Sequence, residues 1–77
     1  MMENFQEAIK KNEKMKIFTR LENYDGAYSI DIRYYYLAED GDYMPTRRGV
    51  KIPVDKVSEF TKIVLKAEKL LKTQNRN

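Results

Sequence analysis

Positively charged and aromatic residues alternate along the most regular strand-like segment of the chain. Arg33 and Tyr35 share one face of residues 27–36, because alternate positions of a strand point the same way. Guanidinium groups pair with phosphates, and phenol rings stack on flat bases without distinguishing them. This combination is typical of surfaces that bind single-stranded nucleic acid, where each base–aromatic stack contributes roughly 1–3 kcal/mol.

Strand parity predicts more cations on the same surface. Apolar and polar side chains also alternate over residues 15–22 and 50–52, and one tyrosine and an arginine pair lie in flanking turns. The nucleic-acid-binding residues expected from this pattern are Lys16, Arg20, Tyr24, Arg33, Tyr35, Arg47, Arg48 and Lys51. The competing interpretation is that these are ordinary strand tyrosines beside solvated charges, since tyrosine favours strands. The pattern alone leaves both interpretations open.

The composition gives little support to covalent catalysis or metal binding. The chain has no Cys and no His, and its only serines are Ser29 and Ser58, so no nucleophile has an imidazole base. The acidic turn at 39–42 has too few ligands for a calcium loop, which also needs a distal glutamate. We therefore expect neither an enzyme nor a bound metal or cofactor.

Turn signals divide the middle of the chain into antiparallel strands. The Asp25-Gly26 pair is a strong hairpin signal because glycine tolerates positive φ, and residues 39–42 (EDGD) form a second turn. Alternation predicts strands at 15–22 and 27–36, a short third strand around Pro45, and a fourth at 50–52. Because proline cannot donate a ladder hydrogen bond, the third strand is expected either to be an edge strand or to end at Pro45. Gly49 is expected to mark a further turn or bulge between the last two.

A heptad pattern predicts a long C-terminal helix that starts near Pro53. One side of its apolar stripe is expected to cover the apolar face of the sheet, and the other to contact a twin helix. The residues expected at this dimer interface are Val57, Phe60, Val64, Ala67 and Leu71. Residues 1–13 are expected to form a short helical N-terminal arm, leaving residues 14–73 as the single-stranded nucleic-acid-binding domain.

The size of the chain favours assembly with a second copy. A domain of 77 residues has a marginal core, and without Cys or His it cannot add disulfides or imidazole-bound metals. The predicted class is an α+β homodimer. The net charge of +3 permits a nucleic-acid partner without requiring one. The start of the chain has no signal-like apolar segment, so we expect a soluble, cytoplasmic protein without membrane contact.

One combination of motifs resembles the transcriptional positive cofactor four family. Residues 30–36 (IDIRYYY), residues 39–52 (EDGDYMPTRRGVKI) and the amphipathic helix after them follow the family's order and spacing. The resemblance extends over roughly residues 14–71. It implies a curved four-stranded sheet with a C-terminal helix, paired into a dimer whose sheets form channels for single-stranded DNA or melted duplex.

The resemblance also implies roles for particular residues. It adds Lys14 and Tyr36 to the expected nucleic-acid contacts, Tyr36 standing where the family often has a stacking tryptophan. The chain departs from the family pattern at Asp25 and Ala27, where lysines are common, and at Glu22, where an arginine is common. These departures remove positive charge from one end of the implied channel.

The resulting hypothesis is sequence-independent binding of single-stranded DNA by a homodimer in transcription, replication or recombination. A bacterial or phage relative would be associated with the nucleoid, and a eukaryotic one with the nucleus. One alternative is a protein-interaction module that modulates RNA polymerase or another nucleic-acid enzyme. Another is RNA binding by the same sheet, which the 2′-hydroxyl would distinguish.

Overall fold

A computed structural model describes residues 5–74, which form an antiparallel sheet followed by one long helix. The strands are β1 (Gln6–Lys10), β2 (Met15–Tyr24), β3 (Ala27–Leu37) and β4 (Tyr43–Pro53), in the spatial order β1-β2-β3-β4. A short 3-10 helix, Val54–Lys56, leads into helix α1, Val57–Gln74. The predicted four-stranded antiparallel sheet and single C-terminal helix are confirmed.

The predicted helical arm at the N-terminus is wrong over the described residues. Gln6 to Lys10 form an edge strand that pairs antiparallel with β2, with Ala8 opposite Phe18. Asn12 stabilises the turn between the two strands, because its Oδ1 accepts hydrogen bonds from the N–H groups of Lys14 and Met15. The five residues of β1 fit a helical or an extended pattern equally well, and the free edge of β2 decides between them. Residues 1–4 of the predicted arm lie outside the described residues.

The hairpin between β2 and β3 has the predicted two-residue turn. Asp25 and Gly26 both have positive φ, 54° and 86°, which matches the twist of the flanking strands. The Oδ1 atom of Asn23 accepts a hydrogen bond from the N–H of Gly26 at 2.9 Å. The tight turn fixes the β2–β3 register along both strands, with Phe18 opposite Arg33.

The predicted third and fourth strands are one continuous strand with a bulge. Gly49 pairs with Arg33 and Pro45 pairs with Tyr35, so three β4 residues, 46–48, lie opposite one residue of β3. The hydroxyl of Thr46 donates a hydrogen bond to the carbonyl of Tyr34 at 2.9 Å and closes the bulge. Proline is tolerated in β4 because this strand is an edge of the sheet.

The helix does not cover the apolar face of the sheet as expected. The 3-10 helix, which contains Val54, and the first turn of α1, which contains Val57, pack against the sheet. Their two valines line a cavity together with Leu21 and Ile30. Beyond Phe60 every helix residue that the structure describes is exposed. The heptad stripe of α1 comprises Val57, Phe60, Val64, Ala67 and Leu71. Residues 5–74 leave this stripe uncovered from Val64 onward, and they leave much of the apolar face of the sheet uncovered as well. No helix in this part of the chain is long and apolar enough to cross a membrane.

Candidate functional site

One face of the sheet carries alternating cations and rings, as strand parity predicts. We call it the cationic face. It comprises the side chains of Lys16, Phe18, Arg20, Glu22, Asp31, Arg33, Tyr35, Tyr43 and Lys51, which the strand registers align, and that of Arg47, which lines the same depression. The opposite, apolar face comprises Ile17, Leu21, Ile30, Ile32, Val50 and Ile52. The described elements leave the cationic face uncovered, so its charged groups meet solvent or a ligand.

Three rings form the floor of the cationic face at one end. The ring of Phe18 lies 4.1 Å from that of Tyr35 and 6.2 Å from that of Tyr43, measured between centroids. The ammonium group of Lys16 lies 4.5 Å from the centroid of Tyr43, within cation–π range. Only 7% of Tyr35 is exposed, so the ring stacks within the protein. Phe18 and Tyr43 were not among the predicted contact residues, although strand parity places both on this face.

Arg33 is fixed in place by a buried carboxylate. Its Nη2 and Nε atoms donate hydrogen bonds to the two oxygens of Asp31 at 2.9 and 3.2 Å, and its Nη1 donates to the carbonyl of Thr46 at 2.9 Å. Asp31 is 2% exposed and is the one buried charged residue in the described chain. These hydrogen bonds to Asp31 raise the pKa of the Arg33 guanidinium, which stays cationic at physiological pH.

Arg20 and Lys51 share a second carboxylate. Arg20 donates one hydrogen bond to the hydroxyl of Tyr35 and another to Oε2 of Glu22, both at 2.8 Å. The Nζ atom of Lys51 lies 3.1 Å from Oε1 of the same glutamate. The two carboxylates of the face thus partly neutralise its arginines and Lys51. Lys16 makes no ion pair with the residues that the structure describes.

A depression of ≈ 460 Å³ joins these groups into one surface. Arg20, Arg33, Tyr35 and Lys51 line it together with Arg47 from the β4 bulge. Within residues 5–74 Arg47 has no carboxylate partner, so its guanidinium remains available to an anion. The structure therefore brings together five of the ten predicted contact residues in one depression, with Lys16 beside them on the same face.

The remaining predicted contacts lie elsewhere. Tyr24 stands at the tip of the β2–β3 hairpin and is 85% exposed. Lys14 is exposed in the turn between β1 and β2. Tyr36 pairs with Met15 and Met44, so its parity places it on the side of the sheet opposite Tyr35.

Arg48 turns away from its neighbour Arg47. Its guanidinium carbon lies 4.6 Å from the ring centroid of Tyr34, on the apolar side of the sheet. The Lys11 ammonium lies 5.8 Å from the centroid of the same ring. This contact was not predicted, because residues 1–13 were expected to form a helical arm. The two arginines point to opposite faces because they are neighbours in one strand, and Arg48 has the parity of Val50 and Ile52 on the apolar side.

The predicted dimer-interface residues all lie on α1, at one side of the helix. Val57 and Phe60 are half-buried near the sheet, whereas Val64, Ala67 and Leu71 are exposed. Two further apolar side chains, Ile63 and Leu70, are 64% and 59% exposed beside this stripe. An exposed apolar surface of this length is typical of a site of protein association.

Comparison with known proteins gives consistent similarities. The family model of the transcriptional coactivator p15 (PC4) matches residues 11–63. The structure of a PC4 homologue from Burkholderia pseudomallei K96243 is 26% identical with a TM-score of 0.75, over 80% of this chain and 84% of that chain. A bacteriophage T5 homologue of PC4 is 22% identical with a TM-score of 0.67, over 97% and 92% of the two chains. The protein in the MoSub1–DNA complex is 21% identical with a TM-score of 0.64, over 94% and 88%. A comparison with curated proteins found no match.

Proposed function

Because the chain belongs to the transcriptional coactivator p15 (PC4) family, we propose that it binds single-stranded DNA as a homodimer, in transcription, replication or recombination. The observation that carries the proposal is the cationic face, where Arg20, Arg33, Arg47 and Lys51 line one open depression. These cations can pair with phosphates, and the neighbouring rings suit unpaired bases.

Two kinds of ring have different roles in this proposal. Tyr35 is buried, and its hydroxyl orients Arg20, so it acts by positioning a cation. Tyr24 is largely exposed at the hairpin tip and can stack on a base. Stacking on a base needs an open ring face, which a paired duplex base does not offer. This favours single strands over duplex as the ligand.

Relatives with the same fold support a nucleic-acid ligand. The MoSub1 protein was solved in a complex with DNA, and the phage T5 homologue is described as implicated in recombination-dependent DNA replication. Both are under 25% identical to this chain, so they support the proposal through the fold they share.

The uncovered apolar surfaces support the homodimer. The monomer buries few side chains deeply; among the described residues these are Asp31, Tyr35 and Ile52. The heptad stripe of α1, from Val57 to Leu71, is long enough to pair with the same stripe of a second chain. Pairing two such helices would remove apolar area from water in both protomers.

A titration of labelled oligonucleotides tests the proposal. Fluorescence anisotropy should show tighter binding of single strands than of duplex, little dependence on base sequence and a steep loss of affinity with added salt. An RNA strand of the same sequence distinguishes the RNA-binding alternative. Failure to bind any single strand at low salt would contradict the proposed function.

Arg47 provides the sharpest variant for this titration. Arg47→Gln should lower affinity and reduce the slope of log K against log salt by about 0.7, the contribution of one phosphate contact on a single strand. Lys69→Gln is the matched control, since it removes one positive charge from the exposed side of α1. An equal loss of slope in both variants would show that overall charge, and not the cationic face, determines binding.

The exposed breadth of the helix favours a second candidate function. Ile63 and Leu70 extend the apolar stripe beyond the heptad positions, which leaves surface for another protein after a twin helix has docked. A module that modulates RNA polymerase or another nucleic-acid enzyme would use this surface. Its complex with purified polymerase should survive nuclease treatment and the Arg47→Gln substitution, whereas a complex bridged by DNA should not.

A further inference from the structure

Glu22 neutralises two cations of the cationic face at once. Its carboxylate accepts a hydrogen bond from Arg20 at 2.8 Å and lies 3.1 Å from the ammonium group of Lys51. Glu22 lies on β2 and Lys51 on β4, so this contact crosses β3, which lies between the two strands. Building on the proposed function, we propose that Glu22 is an internal competitor of phosphate, which holds Arg20 and Lys51 until a nucleic-acid phosphate displaces it.

The two carboxylates of the face differ in how easily they can be displaced. Asp31 is 2% exposed and binds Arg33 through both oxygens, so it forms part of the folded structure. The side chain of Glu22 is 24% exposed and that of its partner Lys51 is 59% exposed. An ion pair that solvent reaches in this way is weak and exchanges readily with ions from solution. Glu22 is therefore the carboxylate that an incoming phosphate can replace.

The contacts of the two cations indicate how the exchange would proceed. The Lys51 ammonium is compact and rotates on a flexible stem, so it can turn from the carboxylate to a phosphate. Arg20 keeps its hydrogen bond to the hydroxyl of Tyr35 when Glu22 is displaced, so its guanidinium stays oriented. The consequence for the wild-type protein is a lower affinity, and a smaller salt dependence, than its cation count predicts.

The Glu22→Gln variant tests this proposal because it removes the negative charge and preserves the shape. At about 0.1 M salt the variant should bind a single strand about fivefold more tightly, because binding no longer frees a carboxylate that takes up a counterion from solution. Its salt slope should be steeper by about 0.7, the size of one phosphate contact on a single strand. Glu68→Gln is the matched control. It gives the same change in net charge, and Glu68 pairs with Lys72 on α1. It should leave the slope unchanged.

The role of Lys51 provides a second, independent measurement. Lys51→Gln should lower affinity less than Arg47→Gln, because Lys51 is already paired and Arg47 has no ion-pair partner among residues 5–74. The gain from Glu22→Gln should also shrink in the Lys51→Gln background. If Glu22→Gln binds no more tightly than Glu68→Gln while the wild type binds, the competitor is disproved and the proposed function stands. If neither the wild type nor Glu22→Gln binds, the proposed function itself fails.

Discussion

At the scale of single residues, Gly49 is the position that allows Arg33 to lie flat on the sheet. Gly49 is paired with Arg33, and a Cβ atom built on it would lie 2.8 Å from the Cβ, Cγ and Cζ atoms of that side chain. The Gly49→Ala variant should therefore displace Arg33 from Asp31. We expect a loss of about 1–3 kcal/mol in the free energy of unfolding, measured with urea, together with weaker DNA binding.

A double variant separates this clash from other effects of the extra methyl group. When Arg33 is first replaced by Ala, the Gly49→Ala substitution has nothing to displace and should cost little further stability. An undiminished cost in that background would show that Gly49 is needed for the backbone of β4 and not for Arg33.

Tyr24 allows affinity to be changed without affecting the fold. Its side chain is 85% exposed and stands outside the packed rings of the face. Tyr24→Ala should leave the thermal midpoint unchanged and weaken single-strand binding by roughly 1–3 kcal/mol, the value of one base stack. Tyr24→Phe is the control and should bind like the wild type, since stacking needs only the ring. Equal binding by all three proteins would exclude Tyr24 from the site.

The residues predicted from regular strand alternation are placed better than Arg48, which was expected in a turn, and Tyr36, which was added by resemblance. Lys16, Arg20, Arg33 and Lys51 share the cationic face because alternation is strict where strands are regular. Tyr36 and Arg48 lie on the other side. Tyr36 was expected from the resemblance alone, and Arg48 was expected in a turn, whereas it lies within β4 with the parity of Val50 and Ile52. The Glu22–Lys51 pair was also beyond sequence reasoning, because it depends on the β2–β3–β4 register. The Asp31–Arg33 and Glu22–Arg20 pairs join residues two positions apart on one strand, so alternation places each pair on one face.

At the scale of elements, turn chemistry was predictable and strand continuity was not. The Asp25-Gly26 hairpin follows directly from the φ preferences of its residues. Pro45 indicated either an edge strand or a strand end, and Gly49 either a turn or a bulge. Both lie within β4, because an edge strand tolerates proline and a bulge accommodates the extra residues. The β1 strand was mistaken for a helix because only its partner strand, and not its own sequence, determines its conformation.

The helix provides the test of assembly. Val64 lies in the middle of the heptad stripe and is 46% exposed. Val64→Glu would place a charge at the centre of a dimer seam, so we expect the protein to become monomeric at micromolar concentration. Sedimentation equilibrium measures the change. Lys66→Gln changes the net charge by the same amount on the exposed side of α1 and should remain dimeric. A Val64→Glu protein that stays dimeric would place the interface elsewhere.

At the scale of the whole molecule, the small core implies that folding and assembly are linked. Few of residues 5–74 are deeply buried, and the largest apolar surfaces are uncovered in the single chain. A protein that gains its core by association has a melting temperature that depends on concentration. We expect the thermal midpoint, followed by circular dichroism, to fall by about 3–5 °C for a tenfold dilution.

The Val64→Glu variant is the control for that measurement. If it is monomeric and folded, its midpoint should be lower and independent of concentration. A wild-type midpoint that does not change on dilution would indicate that the single chain is stable alone, and the exposed stripe of α1 would then need another explanation.

The edge strand β1 has a practical consequence for trimming the chain. The family match begins at residue 11, so a truncation designed on that boundary would remove Gln6 to Lys10. The removal would expose the backbone donors and acceptors of β2, a long strand rich in apolar residues, which is the type of bare border that recruits other chains into aggregates. A version shortened in this way should precipitate on concentration, whereas one that retains β1 should stay in solution.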